Sequence, residues 1–263
     1  MNCWALGLSY DGTPFHGWQL QSDVPSVQGE LESALAQIAV EPIRVHAAGR
    51  TDRGVHATSQ VVGFHTNQER SPKTWLRGLN GLTSESIRVQ WVRAVDADFH
   101  ARYSAVSRRY HYVFVDQDRY PDPLLRSRAW HCGPLDADVM HRSAQALLGE
   151  QDFTSFRAAG CQSTTPMRRV NRCTVTRSGC FVVMEIQANA FLLHMVRNIA
   201  SGLHDVGRGT AVRSIADTLA LKDRAEVGIT APPGGLYFTD VAYSGYDFPR
   251  GQLPTFLGAL NPA

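Results

Sequence analysis

The chain has almost no lysine: Lys73 and Lys222 are the only two, and all its other basic residues apart from histidine are arginines. Long apolar runs are missing too. Nothing approaches the ~18 consecutive apolar residues of a membrane-spanning helix, and the opening MNCWALGLSYDG has neither the cationic start nor the apolar core of a secretory leader. A soluble, cytoplasmic protein with no membrane partner is therefore expected. Cysteines are few and odd in number: Cys3, Cys132, Cys161, Cys173 and Cys180 form no C-x-x-C pair, which argues against a disulfide framework or a thiolate zinc site. No H-E-x-x-H occurs, and His46, His56 and His65 are too irregularly spaced for one metal, so no metal is expected. The phosphate loop G-x-x-x-x-G-K-[ST] and the dinucleotide fingerprint are absent as well, which leaves no expected cofactor.

What is present is enough for a folded core. With 263 residues and 43% hydrophobic content, the chain can form one large domain or two of ordinary size. The net charge of +2 is modest, but its distribution is uneven. From Phe153 to Met184 there is no acidic residue, while Arg157, Arg168, Arg169, Arg172 and Arg177 all fall inside. Guanidinium groups grip phosphate in pairs of hydrogen bonds, so this run is a candidate phosphate-facing surface, although a charge run is more often a solvated face.

The hydrophobic pattern gives the same order of elements twice. LGLSYDG reads as a strand ending in a turn, and Ser26 caps a helix whose Val27, Leu31, Ala34, Leu35 and Ile38 share one face. IRVHA and SQVVGFHT follow as strands, then a helix near KTWLRGL and a strand in IRVQWVRAV. In the second half RRYHYVFV is a strand, Asp136 caps a helix through Leu148 that Gly149 ends, and NRCTVTRSGCFVVMEIQ is a hairpin turning at Ser178 and Gly179. A helix from about Phe191 to Asp205, an extra helix near SIADTLAL and a last strand LYFTDVAY complete it. The expected fold class is α+β, with two ferredoxin-like split β-α-β halves, residues 1–105 and 106–263, joined near Ser104 to Arg108. Each half places helices on one face of an antiparallel sheet, and the other sheet faces are expected to line a cleft.

Between two of these strands lies AGRTDRGVHATSQ, from Ala48 to Gln60, a strongly polar turn. Its Asp52 is crowded by Arg50, Arg53 and His56, which favours an ionised carboxylate suited to act as nucleophile or base. The loop contains no second acid. A metal-dependent nuclease needs clustered carboxylates, and a hydrolysing glycosidase needs one to attack and another to protonate the leaving group. A single carboxylate suits a glycosidic bond that breaks and is remade to the same base through another atom, because no leaving group is carried away.

AGRTDRGVHATSQ resembles the signature of the TruA family of tRNA pseudouridine synthases, written around R-T-D-A-G-V-H-A. Five further segments match in the expected order: YDGTPFHGWQ from Tyr10, DFHARYSAVSRRYHY from Asp98, DFTSFRAAGCQS from Asp152, NAFLLHMVRNI from Asn189 and GLYF from Gly235. They span nearly the whole chain. The resemblance implies that Asp52 is the catalytic aspartate, that Tyr110 stacks on the target uracil, that Arg197 is the basic partner of the aspartate, and that Arg50 helps extrude the nucleotide. It implies a homodimer acting without metal or organic cofactor on uridines 38 to 40 of the tRNA anticodon arm. Read alone, Tyr110 shares one strand face with Tyr112 and Phe114 and fits a core aromatic equally well. In the helix after Asn189, Leu192, Leu193, Val196, Ile199, Ala200 and Leu203 make the apolar face, and His194, Arg197 and Ser201 recur on another. The expected grip on the tRNA backbone comes from Phe99, His100, Ala101, Arg102 and Tyr103, with Gly160, Cys161, Gln162, Ser163 and Thr164. The sequence departs from the family at Arg53, where alanine is usual, and at LNGLTSESI, which replaces N-x-x-L-P. A non-catalytic binder of two RRM-like halves and a synthase of the same family acting on another RNA are the alternatives.

Overall fold

A computed structural model describes residues 2–118, 120–254 and 256–257. In chain order the elements are strand β1 (Asn2–Tyr10), helix α1 (Val27–Ala39), β2 (Val45–Ala47), β3 (His56–Thr66), α2 (Pro72–Leu82), β4 (Ile87–Ala94), β5 (Ala105–Val115), β6 (Trp130–His131), α3 (Ala137–Ala144), β7 (Gly149–Asp152), β8 (Met167–Ser178), β9 (Phe181–Ala188), α4 (Met195–Gly207), α5 (Ile215–Leu221) and β10 (Leu236–Tyr243). The protein is mixed α+β with mostly antiparallel strand pairing. Its contacts divide it into two compact units: the chain up to Arg108 with the stretch from Phe238 onward, and Arg109–Tyr237.

In the first unit the strands lie in the order β4-β1-β3, with β2 also paired to β3, the arrangement of a ferredoxin-like β-α-β-β-α-β sheet. β1 is central, and Leu6 sits opposite Val62 of β3 and Val92 of β4. Ser26 starts α1 by accepting the Gly29 amide, and Ser71 starts α2, with Pro72 in the first turn, by accepting the Thr74 amide. Each cap satisfies an amide that the helix itself leaves orphaned. The helices cover one sheet face: Leu31 and Leu35 of α1 are fully buried, and Trp75 of α2 packs edge-on to Phe64 of β3 at 5.2 Å. Each such side chain contributes about 1.5–3 kcal/mol by leaving water. The segment after Phe238 joins this unit through definite contacts. Tyr243 donates its hydroxyl to the Ala101 carbonyl at 2.6 Å, and Phe248 stacks on Trp91 at 4.7 Å.

The second unit has the strand order β5-β9-β8-β7, with β6 parallel to β5. Helices α3 and α4 pack beside each other, and α3 is tied to β8 by His141 Nδ1, which accepts the Val175 amide, and by Gln145, which donates to the Cys173 carbonyl. Several elements differ in detail from the sequence expectation. The helix capped by Asp136 ends at Ala144 and continues as a single 3-10 turn to Leu147, after which Gly149, at φ 91°, opens the unforeseen strand β7. Hairpin β8-β9 turns at Gly179 and Cys180, since Ser178 pairs with Phe181, and Gly179 takes φ 57°.

Helix α4 begins at Met195. Asn189 uses its side chain to accept the amides of Arg169 and Ala190, and His194 is left-handed at φ 59°, so the preceding residues form a turn. Two face assignments change accordingly: Leu193 is exposed, and Ser201 lies in the core. Asn198 is fully buried, donates to the Phe156 carbonyl at 2.9 Å and accepts from Thr230 and Arg224. Replacing it by leucine strands those groups in an apolar setting. Asn198→Leu is expected to cost on the order of 1–3 kcal/mol, read as a lowered thermal unfolding midpoint.

Candidate active site

The polar loop is held by two other segments of the first unit. The turn after β1 passes directly behind it: the Trp18 amide donates to the Thr51 carbonyl at 2.9 Å, and the Gly12 amide donates to His56 Nδ1 at 3.1 Å. The approach is so close that a Cβ on Gly12 would lie 2.0 Å from the Val55 carbonyl oxygen. Gly17, at φ 96°, faces the Thr51 carbonyl and the Arg53 amide in the same way. The first amides of α1 donate back to Gly17 and Trp18, so the turn is anchored to the helix. Arg108, buried at the start of β5, is the second support. Its guanidinium donates to the Ala48 carbonyl at 3.2 and 3.3 Å, to Ala105 at 3.0 Å and to Arg102. Within the loop Thr51, Val55 and His56 are buried, Asp52 is half-buried, and Arg50 and Arg53 are exposed.

The stretch Phe99–Tyr103 divides by exposure. Phe99 and Ala101 are buried, Phe99 against Tyr243, Tyr246 and Phe248, so His100, Arg102 and Tyr103 are the side chains that a large ligand can reach. His100 Nδ1 accepts the amides of Arg102 and Tyr103 at 3.1 and 3.3 Å. Its ring lies between His46 at 4.7 Å and Tyr103 at 4.4 Å, and the Arg102 guanidinium lies over the Tyr103 ring. Partial burial, then the nearby His46, Arg102 and His65, hold its imidazole below the ordinary 6.5.

In the second unit Tyr110 is 8% exposed and meets Phe191 edge-on at 5.0 Å, which fixes its ring plane. Arg197 is half-buried on α4, and its Nε donates to the Ala231 carbonyl at 2.8 Å, which orients the guanidinium. The loop holding Gly160, Cys161, Gln162, Ser163 and Thr164 turns at Gly160, φ 77°. Its exposed members include Gly160, Gln162 and Thr164. Arg157 donates to the carbonyls of Cys161 and Ser163, and Arg168 to the Ser163 hydroxyl at 2.6 Å. Burial pushes the Cys161 thiol up, but the Leu193 and Ser163 amides and Arg157 outweigh it and hold the thiol below its ordinary 9.0.

These bonds bear on the arginine run from Phe153 to Met184, a candidate phosphate-facing surface or a solvated face. Arg168 is buried, and Arg157 is tied to its own loop. Acids from elsewhere in the sequence meet the others: Glu150 pairs with Arg169 at 3.3 Å, Asp116 with Arg177, and Glu185 with Arg172 at 3.1 Å. Glu185 also faces His111 and Arg109. Its bond from His111 leads, against some burial, in holding that carboxyl below its ordinary 4.5, with Arg109 and Arg172 adding to it. Among the described residues no group of three or more His, Cys, Asp or Glu side chains is placed to hold a metal ion.

Three supports of the loop escaped the sequence analysis: Tyr10, Gln60 and Arg108. Their polar ends bond inside the fold, and the available signal was polar side chains at positions where an apolar strand pattern wants hydrophobic ones.

Comparison with known proteins identifies the class. A profile described as tRNA pseudouridine synthase matches residues 8–104 and 143–244. Proteins named tRNA pseudouridine synthase A are similar over 256 residues, 96% of this chain and 98% of theirs: 51% identical in Shewanella sp. (strain MR-4), 52% in Shewanella baltica (strain OS185) and 50% in Shewanella sediminis (strain HAW-EB3). Among solved structures, a chain of a Cbf5-Nop10-Gar1 complex aligns with 89% of this chain and 48% of its own, at 13% identity and a TM-score of 0.34, a distant likeness. The chain belongs to the tRNA pseudouridine synthase family. It is an isomerase, a tRNA pseudouridine synthase.

The imidazole of His100 gives a pH prediction. Below about pH 6.5 the unfolded chain takes up a proton that the folded loop resists, so the unfolded state binds more protons and stability falls as pH drops through that range. Asparagine can offer an acceptor where Nδ1 stood, without titrating. The thermal midpoint of His100→Asn is therefore expected to decline less steeply than the parent's between about pH 7 and pH 5.

Proposed function

We propose that the enzyme converts uridine to pseudouridine at positions 38, 39 and 40 of the tRNA anticodon arm, with Asp52 as the acting carboxylate. The observation that carries this is the Asp52 loop itself: a single half-buried carboxylate with no second acid in its loop, on a backbone clamped from behind by Trp18, Gly12 and Arg108, in a chain of this family. A uridine in a stem is out of reach of a side chain and has to leave the stack. That costs a few kcal/mol, part of which stacking on an aromatic ring returns.

Arg50, exposed beside the aspartate, is the residue for extrusion, and Tyr110, its plane set by Phe191, is the ring for the uracil. Asp52 acts on the flipped nucleotide, the bond from N1 to the ribose breaks, the uracil turns while held, and C5 joins the ribose. Tyr110 takes the C5 proton as its own hydroxyl proton passes to solvent, N1 gains a proton from solvent in exchange, and Arg197 is the basic partner of the aspartate. His100, Arg102 and Tyr103, with Gly160 to Thr164, grip the tRNA backbone, while Phe99 and Ala101 shape the first of these segments from within. The working form is a cytoplasmic homodimer whose two subunits share each tRNA.

Incubation with unmodified tRNA, followed by mapping of pseudouridine, tests the positions. Conversion at 38 to 40 is expected, and conversion confined to other uridines or another RNA overturns that assignment. With Asp52→Asn and Asp52→Ala, product formation is expected to fall by at least about a thousandfold while tRNA affinity stays within about threefold. Retained turnover in both variants removes Asp52 from the chemistry.

A further inference from the structure

One buried hydrogen-bonded chain behind the loop has no part in the chemistry just described. Tyr10, at the end of β1, is 4% exposed, and its hydroxyl lies 2.8 Å from Thr51 Oγ1. Gln60 of β3 is fully buried beside it. The Gln60 amide pairs with Gly49 as a neighbouring strand would: Nε2 donates to the Gly49 carbonyl at 2.6 Å, and Oε1 accepts the Gly49 amide at 3.3 Å. Nε2 also reaches the Tyr10 oxygen at 3.5 Å, the outer limit of a hydrogen bond. An amide nitrogen only donates, so the Tyr10 oxygen accepts there, while between Tyr10 and Thr51 either hydroxyl can be the donor.

Thr51 is thus held twice. Its carbonyl takes the Trp18 amide, and its side-chain hydroxyl shares a hydrogen bond with the Tyr10 hydroxyl. One handle fixes where the residue sits, and the second fixes its rotation, which sets the direction in which the chain enters Asp52. We propose that Tyr10, backed by Gln60, is a positioning residue for Asp52, acting through the Thr51 side chain; this rests on Asp52 being the catalytic carboxylate. Burial pushes the Tyr10 phenol up to about 12, so it keeps its proton and stays a neutral hydroxyl partner for Thr51. Removing its hydroxyl leaves the Trp18 and Arg108 bonds in place. The loop stays folded while the aspartate loses its aim, and small misplacements of a reacting group cost rate steeply.

The test uses the full chain and unmodified tRNA, with single-turnover rate, tRNA affinity and thermal midpoint measured for Tyr10→Phe, Thr51→Val, the double variant and Thr51→Ser. Each single variant is expected to slow the chemical step about tenfold or more, with affinity within about twofold. The double variant is expected to be no slower than the slower single, because both remove one shared bond. Thr51→Ser, which keeps the hydroxyl, is expected to restore most of the rate. Rates within about twofold of the parent, additive losses, or a loss confined to affinity overturn the proposal. Asp52→Asn run in parallel separates the two levels. An inactive Asp52→Asn beside an unimpaired Tyr10→Phe overturns the positioning role alone, and an active Asp52→Asn overturns the assignment on which it rests.

Discussion

The backbone contact between the turn after β1 and the loop before β3 is the constraint on which the shape of the Asp52 loop depends. Gly12 lies against the Val55 carbonyl, Gly17 lies against Thr51, and the Trp18 amide reaches the Thr51 carbonyl. Two main chains this close leave no room for side chains between them, so each loop has the other as its wall. The polar groups inside are satisfied by fixed donors, Gly12 for His56, Gln60 for Gly49 and Arg108 for Ala48, and a satisfied buried network is rigid where a partly satisfied one is not. An aspartate on such a backbone has its direction set before any substrate arrives.

The second unit uses the same economy with different groups. Arg157 is bonded to carbonyls of its own loop, and Arg169, Arg172 and Arg177 pair with acids of other segments while staying partly exposed. Arginine suits this work because its planar fork satisfies several carbonyls at once, as Arg108 does in the first unit. Lysine's ammonium carries three donors on one atom and lacks that fixed planar fork. The near absence of lysine from the chain is consistent with a protein that uses many of its cations as internal ties.

Most of the fold was legible because long elements carry their own periodicity. The strand-like run SQVVGFHT, the caps Ser26 and Asp136 and the hairpin glycine are local signals, and local hydrogen bonds fix what they indicate. Short elements such as β6 and β7 left no such mark, since two to four residues cannot show a period. The start of α4 was misplaced because Asn189 spends its side chain on backbone amides, a preference that a hydrophobic pattern does not register. The Asp52 loop was legible from its composition and its place between strands. Its supports were not, because pairing Tyr10 with Thr51 or Gln60 with Gly49 is decided by folding. The arginine run shows the same limit, as its ion-pair partners Asp116, Glu150 and Glu185 lie outside it or at its edge.

The route of the chain has one more outcome. The first unit takes in the stretch from Phe238 onward, where Phe238–Tyr243 of β10 extend its sheet beside β3, whereas the second unit is one unbroken piece of chain. During synthesis the later-made unit therefore has all its residues before the earlier one does. The loop bearing Asp52 is made before the second unit, yet the sheet that carries it waits for β10, which follows that unit in the chain.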